Sequence, residues 1–109
     1  MLTHAAAPMD DVFAALADPT RRALLQELLE AGPATATALA PQFPVSRQAV
    51  VKHLAVLADA GLVAAQRHGR EVRYEARTDP LVDAAAWLAA AGARWDRRLA
   101  RLARHLEPR

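Results

Sequence analysis

From Asp79-Pro80 onward, apolar or small residues recur at alternating steps of four and three: Leu81, Ala85, Leu88, Gly92, Trp95, Leu99, Leu102 and Leu106. That spacing is a heptad seam along one side of an α-helix. Aspartate followed by proline suits a helix start, because Asp can cap and Pro fits the first helical position. A helix running to about Leu106 would be roughly 40 Å long at about 1.5 Å per residue. A small domain needs less than that to cover its core. Such a helix either lies on its own domain or meets a second copy of the chain. With 109 residues the chain has the size of one domain, and 53% of those residues are hydrophobic. Many are alanine, however, and alanine buries little area, so a lone chain has a thin core that burial between copies would extend. The seam is therefore expected to join two copies through Leu81, Leu88, Trp95, Leu99, Leu102 and Leu106. Trp87 lies on a neighbouring face and is expected to pack inward.

The preceding residues break into short pieces. Asp10 can cap a helix that runs to about Leu16, with Val12, Phe13 and Leu16 on its apolar side. Asp18-Pro19 opens a second helix carrying Leu24, Leu25, Leu28 and Leu29, and Gly32-Pro33 ends it. Thr35 or Thr37 can cap a third helix, which Pro41 keeps brief. Ser46 caps a fourth, from Arg47 to about Ala60, with Ala49, Val50, Leu54 and Leu57 facing inward and Gly61 as its stop. Leu62 to Arg67 and Glu71 to Arg77 read as two strands around His68-Gly69-Arg70, a turn whose glycine can take positive φ. Val72, Tyr74 and Ala76 alternate there with charged residues, the pattern of a half-buried strand. The predicted fold is mainly α with a small β-hairpin: a winged helix-turn-helix over residues 10–78, then a long dimerisation helix over 79–107, all in one domain spanning 1–109.

Net charge is only +2, but it is unevenly distributed. Residues 45–77 carry six bases against three acids, and residues 94–109 carry six against two, while the other segments are net acidic. Basic charge concentrated in this way suits surfaces that meet a polyanion, although solvated faces give the same count. All but one of the fourteen bases are arginine, whose fork suits phosphate and guanine.

On the helix that begins at Arg47, the residues Arg47, Gln48, Val51 and Lys52 share the side opposite the apolar positions. In a helix-turn-helix, the start of the second helix reaches base edges in the major groove of double-stranded DNA. Arg47 can pair with guanine, Gln48 with adenine, and Val51 can touch a thymine methyl. Lys52 and the amides that follow Ser46 suit phosphate. On the hairpin, Arg67, His68 and Arg70 cluster at the tip and Arg73 and Arg77 line the outer face, where a backbone or an adjacent minor groove is within reach. The arginines of the last helix (Arg94, Arg97, Arg98, Arg101 and Arg104) read as a solvated, ion-paired surface that could also add distant phosphate contacts.

The stretch Val45-Ser-Arg-Gln-Ala-Val-Val-Lys-His-Leu-Ala-Val-Leu-Ala-Asp-Ala-Gly-Leu-Val63 resembles the ArsR family of bacterial winged-helix repressors. Ala17-Asp-Pro-Thr-Arg-Arg-Ala23 and Gly69-Arg-Glu-Val-Arg-Tyr74 extend the likeness over residues 10–106. Trp87-Leu88 and Trp95-Asp-Arg-Arg-Leu99 look like the subgroup without an obvious metal site. The resemblance implies a homodimer joined by its last helices, with the first helix assisting. It further implies an inverted-repeat operator and repression, usually of the protein's own operon. Val51 departs from the pattern, since the family commonly has serine there on the DNA-facing side.

Other chemistries find little support. Without cysteine there are no disulfides, thiolate metal sites or thiol nucleophiles. The four histidines (His4, His53, His68 and His105) are scattered, and Glu107 near His105 does not complete a zinc set. His53 reads as a packed, hydrogen-bonded residue. Ser46 is the only serine and its place explains it as a cap, so no nucleophile or other catalytic residue is expected. No secretory leader or membrane-length apolar run is seen, which points to the cytoplasm. No pattern names a cofactor or an effector. A metal- or ligand-responsive repressor of the same fold and a winged-helix protein-interaction module are the competing readings.

Overall fold

The computed structural model describes residues 7–106. His4 and Glu107, and with Glu107 the expected end of the last helix at 107, lie outside that range. Helix α1 spans Ala7–Leu16 and α2 spans Pro19–Ala31. Strand β1 (Ala34–Thr35) leads into the short α3 (Ala36–Leu39) and a tighter 3-10 turn over Ala40–Gln42. Helix α4 covers Arg47–Asp59, strands β2 and β3 cover Val63–His68 and Glu71–Ala76, and α5 covers Asp79–Leu106.

The capping residues named from the sequence act as expected at most of the boundaries. The Asp18 side chain accepts the Arg21 N–H at 3.0 Å at the head of α2. Thr35 Oγ1 accepts the Ala38 N–H at 3.1 Å, and Ser46 Oγ accepts the Ala49 N–H at 3.1 Å. Each removes one of the orphan donors that every helix start leaves. Gly32 ends α2 at φ +94°, and Gly69 takes φ +63° at the first position of the hairpin turn, where a side chain would strain the backbone. Two caps are placed differently. Helix α5 starts at Asp79 itself and the Val82 N–H bonds to the Thr78 carbonyl, so Asp79 lies within its first turn. Helix α1 already begins at Ala7, so Asp10 lies inside its first turn, where an acid still suits the positive helix end.

The sheet has an unexpected third strand. In the order β1-β3-β2, β1 pairs antiparallel with β3 through Ala34↔Tyr74 and Thr35↔Arg73. A two-residue strand carries no periodicity, which is why the sequence pattern misses it. Its effect is mechanical, since it ties the start of α3 to the central strand of the wing. Strands β2 and β3 pair from Val63↔Ala76 to His68↔Glu71.

The core gathers Leu24, Leu25 and Leu28 of α2, Leu39 of α3, Val50, Leu54 and Leu57 of α4, and Leu62 and Val63 at the start of β2. Val12, Ala15, Ala36 and Ala84 complete it, so alanine supplies three of its thirteen buried positions. Leu29 is half exposed and does not join them.

Helix α5 is different. Ala84 is its only fully buried residue. Leu81 is half-buried against the core of its own domain, so it belongs to the domain's packing as much as to any seam. Trp87 meets Phe13 of α1 edge to face, with centroids 5.8 Å apart, yet it remains about half exposed. The inward packing expected of Trp87 is thus partial, because α1 covers only one edge of its ring. Beyond it, Leu88, Trp95, Leu99, Leu102 and Leu106 are all exposed, from 54% for Leu88 to 74% for Leu106.

Candidate nucleic-acid interface

Helix α4 is held from behind by a polar knot. Arg21 Nε and Nη2 donate to the carbonyls of Ala15 (2.7 Å) and Ala14 (3.1 Å), and Arg22 Nη1 donates to that of Leu16 (2.7 Å). Two guanidinium groups thus satisfy the orphan carbonyls at the negative end of α1. His53 of α4 joins the same knot, its Nδ1 standing 3.5 Å from Arg21 Nη1 and 3.9 Å from an Asp18 carboxylate oxygen. Asp18 is held below the ordinary carboxylate range, first by the Arg21 backbone N–H and then by the positive charge around it, with partial desolvation opposing. The knot joins α1, α2 and α4 through Asp18, Arg21 and His53, while Arg22 ties α2 to the end of α1. His53 is the packed, hydrogen-bonded residue its position suggests.

The opposite side of α4 faces solvent. Ser46, Arg47, Gln48 and Lys52 are exposed. Because the Ser46 side chain serves Ala49, the Arg47 and Gln48 amides have no intrahelical acceptor and lie at the positive end of the helix. Arg47 Nε donates to Thr37 Oγ1 of α3 at 3.0 Å. Val51 differs from the outward position expected of it: it is half-buried and packs against the core. It lines a cleft of about 540 Å³ together with Thr35, Thr37, Arg47, Arg70 and Tyr74.

That cleft brings the two halves of the site together. Arg47 and Val51 come from α4, Arg70 and Tyr74 from the wing, and the threonines from the β1–α3 corner that strand pairing fixes against β3. At the wing tip, Arg67, His68 and Arg70 are exposed. Arg67 Nη1 leans back on the Gly69 carbonyl at 3.4 Å, and Arg73 pairs with Glu71 at 3.7 Å, both side chains being more than half exposed. The Glu71 pairing lowers the charge Arg73 can offer a polyanion. Thr37 and Tyr74 are the site residues that sequence reasoning passes over. No periodicity links Thr37 to Arg47, since only the tertiary turn brings them together.

The helix-turn-helix domain family model matches residues 16–65, from the end of α1 through α4 into β2. The transcriptional repressor SdpR of Bacillus subtilis is 36% identical over 80 residues, which cover 73% of this chain and 88% of SdpR. The solved structure of an ArsR-like transcriptional regulator from Rhodococcus sp. RHA1 superposes with a TM-score of 0.80 at 45% identity. It covers 94% of this chain and 96% of its own. The chain belongs to the ArsR family of winged helix-turn-helix regulators. This ArsR-family chain is therefore a DNA-binding transcriptional regulator and not an enzyme. A homodimeric winged helix-turn-helix DNA-binding domain from Mycobacterium bovis has the same fold, with a TM-score of 0.60 at 27% identity over 78% of this chain and 79% of its own. Among the described residues, no helix is long and apolar enough to cross a membrane.

Proposed function

We propose that this ArsR-family regulator is a cytoplasmic homodimeric repressor that binds an inverted-repeat operator upstream of its own gene and releases it without sensing a metal. The reading rests above all on one observation. The exposed start of α4 and the wing tip meet around one cleft, offering Arg47 and Arg70 to the same ligand. In this arrangement Arg47 and Gln48 reach base edges, and Val51 offers its outer methyl surface to the groove. Lys52 and the amides after Ser46 hold phosphate, while Arg67, His68, Arg70 and Arg73 follow the backbone beside the wing.

Dimerisation is supported by the uncovered stripe on α5 and by the homodimeric relative from Mycobacterium bovis. A second copy seated on that stripe would cover Leu88, Trp95, Leu99, Leu102 and Leu106, and part of Leu81. Helix α5 starts acidic, with Asp79 and Asp83, and ends basic, with Arg97, Arg98, Arg101 and Arg104. An antiparallel pair of such helices sets opposite charges side by side, whereas a parallel pair sets like against like. Repression follows from a dimer that occupies its operator and blocks polymerase, as the name of SdpR also suggests. A metal-independent release is supported by the lack of cysteine and by the scatter of the other donors: among the described residues, no three His, Asp or Glu side chains come together.

Fluorescence anisotropy with the gene's own upstream duplex and a scrambled duplex, at several salt concentrations and with and without chelator, tests this reading. Tight, chelator-insensitive preference for the upstream duplex is expected. Metal-dependent release with stoichiometric zinc binding would overturn the metal-independent part. No binding even at low salt would overturn the DNA reading and favour a protein-interaction module.

A further inference from the structure

The guanidinium of Arg47 is already oriented in the free protein. Its Nε–H donates to Thr37 Oγ1 at 3.0 Å across the helix-turn-helix corner. Thr37 is not otherwise engaged in building α3, because Thr35 provides the cap there. Its β-branched side chain has few rotamers, which makes it a firm anchor.

We propose that Thr37 is a positioning residue for sequence readout: it fixes the plane of Arg47 so that the two terminal amino groups form an end-on fork for a guanine edge. Arginine carries five N–H donors in a rigid plane. With Nε–H given to Thr37, the side-on fork is closed and the four donors on the two Nη atoms remain. Those suffice for the paired acceptors N7 and O6 of guanine in the major groove. The partner is a neutral hydroxyl, so it orients the guanidinium without cancelling its charge. Arg73 provides the contrast, since Glu71 at 3.7 Å offsets its charge. Arginine is flexible, and ordering it opposes binding, so an arm held before DNA arrives loses less freedom on contact.

The inference rests on the reading of α4 as the helix that meets DNA, and one set of measurements separates the two. A preferred duplex is first selected from a randomised pool with the wild-type protein. Affinities for that duplex and for a scrambled duplex are then measured for wild type, Thr37→Val, Thr37→Ser, Arg47→Ala and the Thr37→Val/Arg47→Ala double variant. Thr37→Val keeps the shape and removes the acceptor. It is expected to weaken binding to the selected duplex about fivefold, the scale of one hydrogen bond, and to leave the scrambled duplex nearly unchanged. Thr37→Ser is expected to bind like wild type, and Thr37→Val to have no further effect once Arg47 is alanine. Wild-type or tighter binding by Thr37→Val would overturn the proposal, as would a loss that persists in the Arg47→Ala background. Unchanged binding by Arg47→Ala itself, or no enriched sequence at all, would instead overturn the reading on which the proposal stands.

Discussion

Helices α4 and α5 carry the same kind of apolar stripe, and their surroundings treat them in opposite ways. In α4, thirteen residues long, Val50, Leu54 and Leu57 are all fully buried by the rest of the domain. In α5, twenty-eight residues long, only Ala84 is, and five large apolar residues from Leu88 onward stand exposed. Spacing shows that a face wants cover; it does not show what provides it. For α4 the cover comes from α2, α3 and β2 of the same chain. For α5 the domain is too small, and beyond the contact between Trp87 and Phe13 the large apolar residues Leu88, Trp95, Leu99, Leu102 and Leu106 are left exposed among the described residues. In the proposed arrangement the two helices divide the work: α4 spends its apolar face on the fold and keeps its polar face for DNA, while α5 keeps its apolar face for a second copy.

The comparison can be broken at either helix. Leu54→Ala removes a wholly buried side chain from a thin core and is expected to cost about 2–5 kcal/mol, read as a lower denaturation midpoint. A loss below about 1 kcal/mol would mean that α4 is not the centre of the core. Leu99→Glu should do the reverse. Leu99 is 55% exposed in the single chain, so the fold itself should change by no more than about 0.5 kcal/mol. Sedimentation should nevertheless show monomers, and operator affinity should fall about 100-fold as two linked half-site contacts become one. Dimeric sedimentation of this variant would remove the seam from α5.

Much of the fold was legible before the structure. The caps Asp18, Thr35 and Ser46 and the turn at Gly69 rest on local chemistry, and local chemistry is what sequence carries. The apolar stripe of α5 rests on a repeat long enough to outrun chance. Three features were hidden for one common reason: they depend on residues distant in sequence. Strand β1 exists only because β3 passes beside it. Val51 is half-buried because it packs against a core gathered from distant elements. Thr37 meets Arg47 because the 3-10 turn closes between them. The start of α1 was misplaced for a simpler reason: Asp suits both a cap and a first turn, so Asp10 alone could not fix the boundary.

Two smaller effects sharpen the picture of α4. Lys52→Ala should weaken binding to all duplexes alike and reduce the slope of log affinity against log salt by about one, the loss of a single phosphate contact. A change in base preference would instead move Lys52 among the reading residues. Smaller still is the contribution of the knot behind the helix. Asp18 has its carboxyl held below 3.8 in the folded chain, so the stability it adds is present above that value and lost as pH falls through the lowered one. Asp18→Asn can still cap, so it should melt only slightly below wild type at pH 7, with the gap closing below about pH 4. A gap that does not change with pH would show that the charge of Asp18 contributes nothing.

The symmetry of the DNA that the wild-type protein selects from a randomised duplex pool tests both helices at once. The expected result is a two-fold symmetric consensus whose half-site centres lie about 10–10.5 base pairs apart, one for each α4 of a dimer joined through α5. An asymmetric single site would contradict the dimeric arrangement, and no enrichment at all would contradict α4 as a reader of DNA sequence.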